Sequence, residues 1–132
     1  MSDSQSLSLI VASDIHLTLQ PPVARSVEEN WLNVQKRYLT QLGKLTEVRK
    51  ESDGNVWFEE VPIVYVGDVF DKWNSPSELV NFALAHLPKG YAIPGQHDLP
   101  NHSLEHIKRS SFWTLVEAGR IKMMPYASPT EV

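Results

Sequence analysis

Cysteine is absent from all 132 residues, which excludes disulfides, zinc–thiolate centres and thiol nucleophiles and leaves oxygen and imidazole to hold any metal. Long apolar runs are also missing. The stretch Leu7 to Ala12 is too short for a signal-peptide core or a membrane span, and Met1 to Ser8 carries Asp3 and no basic residue. A cytoplasmic protein with no membrane attachment is the expectation. Positive charge is scarce as well: the net charge is −4. The pairs Lys36-Arg37, Arg49-Lys50 and Lys108-Arg109 read as solvated helix surface rather than a phosphate-gripping cluster, so there is no global pull toward nucleic acid or an anionic membrane. No repeat or low-complexity tract interrupts the chain. What is present, 42% apolar and 21% charged residues, is the composition of one globular domain spanning 1–132.

Apolar runs alternate with helical stripes. Leu7 to Ala12 reads as a buried strand ending at Ser13-Asp14, and Pro21-Pro22 marks a turn. Trp31, Val34, Tyr38, Leu42, Leu45 and Val48 form a helical stripe, predicting one long amphipathic helix from Asn30 to about Lys50. Val56-Trp57-Phe58 is left open as a short edge strand or an approach to the next one. Val61 to Val66 reads as a second strand, stopping at Gly67-Asp68. Ser75-Pro76-Ser77-Glu78 has the form of a capping box opening a helix that runs to about Leu87. Tyr91 to Ile93 is a third strand. Asn101 or Ser103 is placed to cap a helical turn, Ser110 or Ser111 a helix closing at Gly119, and Ile121 to Met124 is a fourth strand. This alternation predicts an α/β fold with a mainly parallel sheet covered on both faces and a site beyond the carboxyl ends of its strands.

Each of the first three strands ends in a loop rich in ligand types. In Asp14-Ile15-His16 the one-residue spacing lets a carboxylate and an imidazole point the same way from an extended loop. A lone D-x-H is more often a turn beside a surface histidine. In Gly67-Asp68-Val69-Phe70-Asp71 the glycine permits a sharp exit from a buried strand, so Asp68 can bridge two cations while Asp71 orients a neighbouring ligand. In Gly95-Gln96-His97-Asp98 the Gln96 amide oxygen is a fair hard-metal ligand, His97 could stabilise charge on a phosphoryl group or protonate a leaving oxygen, and Asp98 would fix the imidazole's tautomer. Each motif alone has a bland reading as a polar turn. All three in this order, each directly after a strand, outweigh it.

This pattern, D-x-H, G-D-x-x-D and G-[N/Q]-H-D, resembles the calcineurin-like metallophosphoesterase superfamily over about residues 7 to 124, with Gln96 where that superfamily usually has Asn. The resemblance implies a layered α/β/β/α fold and two divalent ions, manganese first, with magnesium, iron or zinc as alternatives. Asp14, His16, Asp68 and Gln96 would be metal ligands, and His97 and Asp98 would assist catalysis. Gly67 to Asp71 followed by Ser75-Pro76-Ser77, together with Phe112 to Gly119, is similar to SbcD-type DNA repair exonucleases and their phage relatives. That similarity implies DNA as substrate, an SMC-like ATPase partner and a possible homodimer. The same three motifs also serve phosphatases and nucleotide phosphodiesterases, and a non-catalytic binding module would keep the fold. The superfamily pattern continues with an isolated His and a Gly-His-x-His, whereas this sequence offers only His102 and His106, read as surface residues, and His86, read as structural. The 132 residues are accordingly expected to be an N-terminal portion, nearly inactive alone.

Overall fold

The computed structural model describes residues 9–21 and 30–124. Four short strands form a parallel sheet in the spatial order β1 (Ile10–Ser13), β4 (Ile63–Val66), β5 (Gly90–Ile93) and β6 (Ile121–Met123). Between β1 and β4 the chain builds helix α1 (Trp31–Leu45) and a separate antiparallel ribbon, β2 (Glu47–Ser52) with β3 (Asn55–Glu60). Helix α2 (Ser77–His86) connects β4 to β5. Short 3-10 turns at 96–98, 100–102 and 104–109 and helix α3 (Ser111–Glu117) connect β5 to β6. Leu7, Ser8 and Pro22 lie outside the described residues.

Strand order advances in one direction across the sheet. Right-handed crossovers between such strands all deliver their helices to the same face. The register shows the result: Ile10, Ala12, Ile63, Tyr65, Ala92 and Ile121 share one parity and join a single core with Leu39, Leu79, Phe112 and Leu115. The opposite parity places Val11, Val64, Val66 and Ile93 on the other face, where Val11 (62%), Val66 and Ile93 are exposed and Val64, between Val11 and Tyr91, is buried. The core cluster packs against the first face, and much of the second face is exposed among the described residues.

Two local expectations are corrected. The long helix stops at Leu45, because Asp53 and Gly54 both adopt left-handed backbone (φ 51° and 80°) and form the tight turn that pairs Glu47–Ser52 with Asn55–Glu60. Val48 belongs to that ribbon, and the buried face of α1 is Val34, Gln35 and Leu39 rather than the stripe through Tyr38 and Leu45, both exposed. The capping box at Ser75 does not form. The Ser75 hydroxyl donates to the Lys72 carbonyl (2.9 Å), Pro76 occupies the cap position, and no side chain caps α2. Ser110 does cap α3, accepting from the Trp113 N–H at 3.0 Å. Among the described residues no helix is long and apolar enough to cross a membrane.

Candidate metal centre

Strands β1, β4 and β5 are neighbours running in parallel, so the loops that follow them emerge at one edge of the sheet. Beyond the strands the first two loops stay zipped together. The Asp14 N–H donates to the Gly67 carbonyl (3.2 Å), His16 to Asp68 (2.9 Å), Leu17 to Val69 (2.9 Å), and Asp71 back to Leu17 (3.0 Å). The third loop is tied in by Asp68, whose Oδ1 accepts the His97 N–H at 2.9 Å.

At this edge His16, Asp68 and His97 each offer one ligand atom, and the three atoms lie within 4.8 Å of one another. Asp68 is the hub. Its Oδ2 is 2.9 Å from Nδ1 of His97 and 3.7 Å from Nε2 of His16, and the two rings stand edge to face at 5.4 Å. Asp71 sits behind His16, with Oδ1 3.6 Å from its Nδ1. One carboxylate and two imidazoles suit a divalent cation, so the donor set fits a divalent metal of the kind the resemblance implies.

The backbone is bent to achieve this. Asp14, His16 and Asp68 all lie in the left-handed region (φ 53°, 50° and 48°), which costs about 1 kcal/mol or more for a residue with a side chain. Gly67 (φ 83°) supplies the exit from β4. Gly95 is required for a different reason: a Cβ there would overlap the Asp68 carboxylate and main-chain nitrogen.

Burial raises the Asp68 pKa, but side-chain and main-chain hydrogen bonds from His97, with the charges of His97 and His16, outweigh it and hold the carboxyl below its ordinary value. The hydrogen bond to Asp68 moves His97 the other way. Its pKa is raised despite some desolvation, with the Asp68, Asp71 and Asp98 charges adding to the effect.

The remaining candidates fall outside this group. Asp14 is exposed, with Oδ1 3.8 Å from Nε2 of His16, and it is not in the tight cluster. Gln96 is exposed, and its amide makes no hydrogen bond among the described residues. Asp98 is fully buried and does not touch the imidazole it was expected to orient. Its Oδ1 accepts from Phe70 N–H (3.1 Å) and its Oδ2 from Val69 N–H (3.1 Å) and Gly95 N–H (2.9 Å). A carboxylate facing three amide donors is drawn to them before any neutral ring, so the imidazole partner is Asp68 instead. Burial pushes the Asp98 pKa up, and the three amides pull against it. One residue the sequence reading missed is Gln35, buried on α1 and bonded to both main-chain groups of Thr18. Its only signal was a polar residue four positions after Trp31, on the same helix face.

No match to the chain is found among curated proteins. Residues 7–130 match the family model described as calcineurin-like phosphoesterase, a span that includes all three ligand-bearing loops. With a metal-compatible donor group at the carboxyl edge of a parallel sheet and a family match over nearly its whole length, the chain belongs to the calcineurin-like phosphoesterase family of metal-dependent hydrolases.

Proposed function

We propose that the chain carries the metal-binding half of a phosphodiesterase acting on DNA, of the SbcD type, using manganese. The observation that carries the phosphoesterase part is the convergence of His16, Asp68 and His97 from three adjacent loops. The DNA part is supported by the resemblance of the segments around Ser75-Pro76-Ser77 and Phe112 to Gly119. The same resemblance is the ground for an SMC-like ATPase partner and a homodimer.

Asp68 and His16 would hold the cation, with Asp14 and Gln96 on the same loops to add oxygens, and His97 would stand beside them as the acid. The bound ions would polarise a phosphoryl oxygen and neutralise the charge that builds on it. The protein's own part is to keep Asp68 ionised, which its contacts with His97 and His16 do. With Nδ1 held against the Asp68 carboxylate, a contact that favours the imidazolium, the protonated His97 would offer its Nε2 proton to a departing oxygen. Zipping of the first two loops keeps these groups in register without a rearrangement.

The test is calorimetric titration of manganese, followed by manganese-dependent release from DNA ends, from a small phosphodiester and from a phosphoserine peptide. Metal uptake with preference for DNA supports the reading. Preference for the peptide would move the chain to the phosphatases, and no metal uptake would favour a non-catalytic module.

A further inference from the structure

The ribbon of β2 and β3 stands apart from the core. None of residues 47–60 belongs to the hydrophobic cluster, and all six residues of β3 are exposed. Its base is tied by the Val61 N–H, which donates to the Thr46 carbonyl at 2.7 Å. In the middle of β3 lie three consecutive large apolar side chains, Val56 (49% exposed), Trp57 (42%) and Phe58 (65%). An isolated two-stranded ribbon is marginal in water, and exposed apolar residues along an open strand edge make a template for another strand. The two edges of the ribbon differ. β2 carries Glu47, Arg49, Lys50 and Glu51, with Arg49 bonded to Glu51 at 3.0 Å, and such charges blunt an edge. From Asn55 to Phe58 β3 has no charge, and its outer edge pairs with no strand among the described residues.

We infer that the outer edge of β3 is an interface between two copies of this chain, with β3 of the second copy added antiparallel about a two-fold axis at Trp57. Successive residues of a strand point to opposite faces. Val56 and Phe58 share one face of the ribbon with Glu51 and Arg49, and Trp57 shares the other with Lys50. A partner lying on either face would leave the other uncovered, whereas an added strand brings neighbours to both. A two-fold axis perpendicular to the sheet sets one residue opposite its own copy. Centred on Trp57, the register sets Val56 of one copy opposite Phe58 of the other, and Asn55 opposite Glu59. Centred on Val56 it would oppose Trp57 to Asn55, and centred on Phe58 it would oppose Trp57 to Glu59 and Val56 to Glu60. Only the Trp57 centre lays the apolar run wholly against itself. It also keeps glutamates apart, with Glu60 opposite Gly54, and like charges directly opposed destabilise a sheet. This pairing needs nothing of the metal centre, so it stands or falls separately from the phosphodiesterase reading.

Sedimentation velocity of the metal-free chain tests the pairing without metal or turnover. One strand edge buries less than the roughly 1,200–2,000 Å² of a stable interface, so monomer is expected to convert to dimer only as concentration rises. Trp57→Lys is expected to weaken association about tenfold or more, and Val11→Lys, on the open face of the parallel sheet, to leave it unchanged. The opposite result moves the interface to that sheet face and overturns the inference. Should Trp57→Lys lose the folded circular dichroism spectrum, Phe58→Lys gives the same readout. Because the chain lacks cysteine, an introduced thiol reports the register. Trp57→Cys is expected to yield a disulfide-linked dimer on mild oxidation, since directly opposed residues lie about 4.5–5.5 Å apart between Cα atoms, within reach of a disulfide. Glu59→Cys sets its two thiols about 13 Å apart along the strands and is expected to stay unlinked. A chain monomeric at every concentration, assemblies beyond the dimer, or equal cross-linking at the two positions overturns the two-fold edge pairing.

Discussion

Replacing Asp98 by Asn separates a structural carboxylate from one that serves the imidazole. The carboxylate takes three main-chain donors, one on Oδ1 and two on Oδ2. An Asn side chain has one acceptor, and turning its oxygen toward Val69 and Gly95 aims its NH₂ at the Phe70 N–H. Hydrogen bonds to a charged group contribute roughly 1.5–3 kcal/mol and neutral ones about 1 kcal/mol. The change therefore removes one strong bond and weakens two, roughly 3–5 kcal/mol in all, partly offset because a neutral amide is cheaper to bury. A net loss of about 2–4 kcal/mol is a large fraction of the ~5–15 kcal/mol that holds a domain folded, and corresponds to a fall in Tm on the order of 10 °C for a chain of this size. Thermal unfolding of the metal-free protein, followed by circular dichroism, gives the number. His97→Ala serves as the comparison and is expected to shift Tm far less, since that side chain is exposed. If Asp98→Asn unfolds within ~2 °C of the unaltered chain, the three amide bonds do not carry the loops and the account of Asp98 given above is wrong.

Gly95→Ala is expected to abolish manganese binding in calorimetry, because the added methyl displaces the Asp68 carboxylate; unchanged affinity would mean the loops yield more easily than their hydrogen bonds imply. Asp68→Asn is expected to weaken manganese binding more than His97→Ala, since Asp68 contacts both imidazoles, and the reverse order would remove Asp68 as the hub. In the metal-free protein, Asp68 lies below its ordinary 3.8 and His97 above 6.5. The stability each adds is present above pH 3.8 for Asp68 and below pH 6.5 for His97. It is lost as pH falls through the lowered Asp68 pKa or rises through the raised His97 pKa. Tm measured against pH should show this fall above pH 6.5, and His97→Ala should flatten it. Val11→Lys, on the open sheet face, is expected to leave Tm nearly unchanged while Ile10→Lys, one residue away but facing the core, unfolds the chain; equal effects would show that the open face is covered.

Periodicity and motif order made the sheet, α2, α3 and the three ligand loops readable from residues alone. Each of those signals is local: a β-branched run, a glycine, a cap. What was not readable depended on who meets whom. The ribbon turning at Asp53-Gly54 was masked by the helical stripe through Val48, because a strand that alternates with charges also satisfies a helical count for a few residues. Asp98 stands beside His97 in sequence, which suggested a partnership. The fold instead buries it under amides of residues 69 and 70, a long-range encounter that spacing does not encode. Gln35 escaped for the same reason, its partner Thr18 being 17 residues away.

The left-handed backbone at Asp14, His16 and Asp68 sets stability and chemistry against each other at the same three positions. Glycine adopts that conformation without strain, so selection for a firmer fold alone would drift these sites toward glycine and erase the donors. Their carboxylates and imidazole persist only while something rewards them for more than folding, and a bound cation is such a reward, since binding the native state stabilises it. The sites where this chain tolerates improvement least are those that its own backbone would most readily surrender.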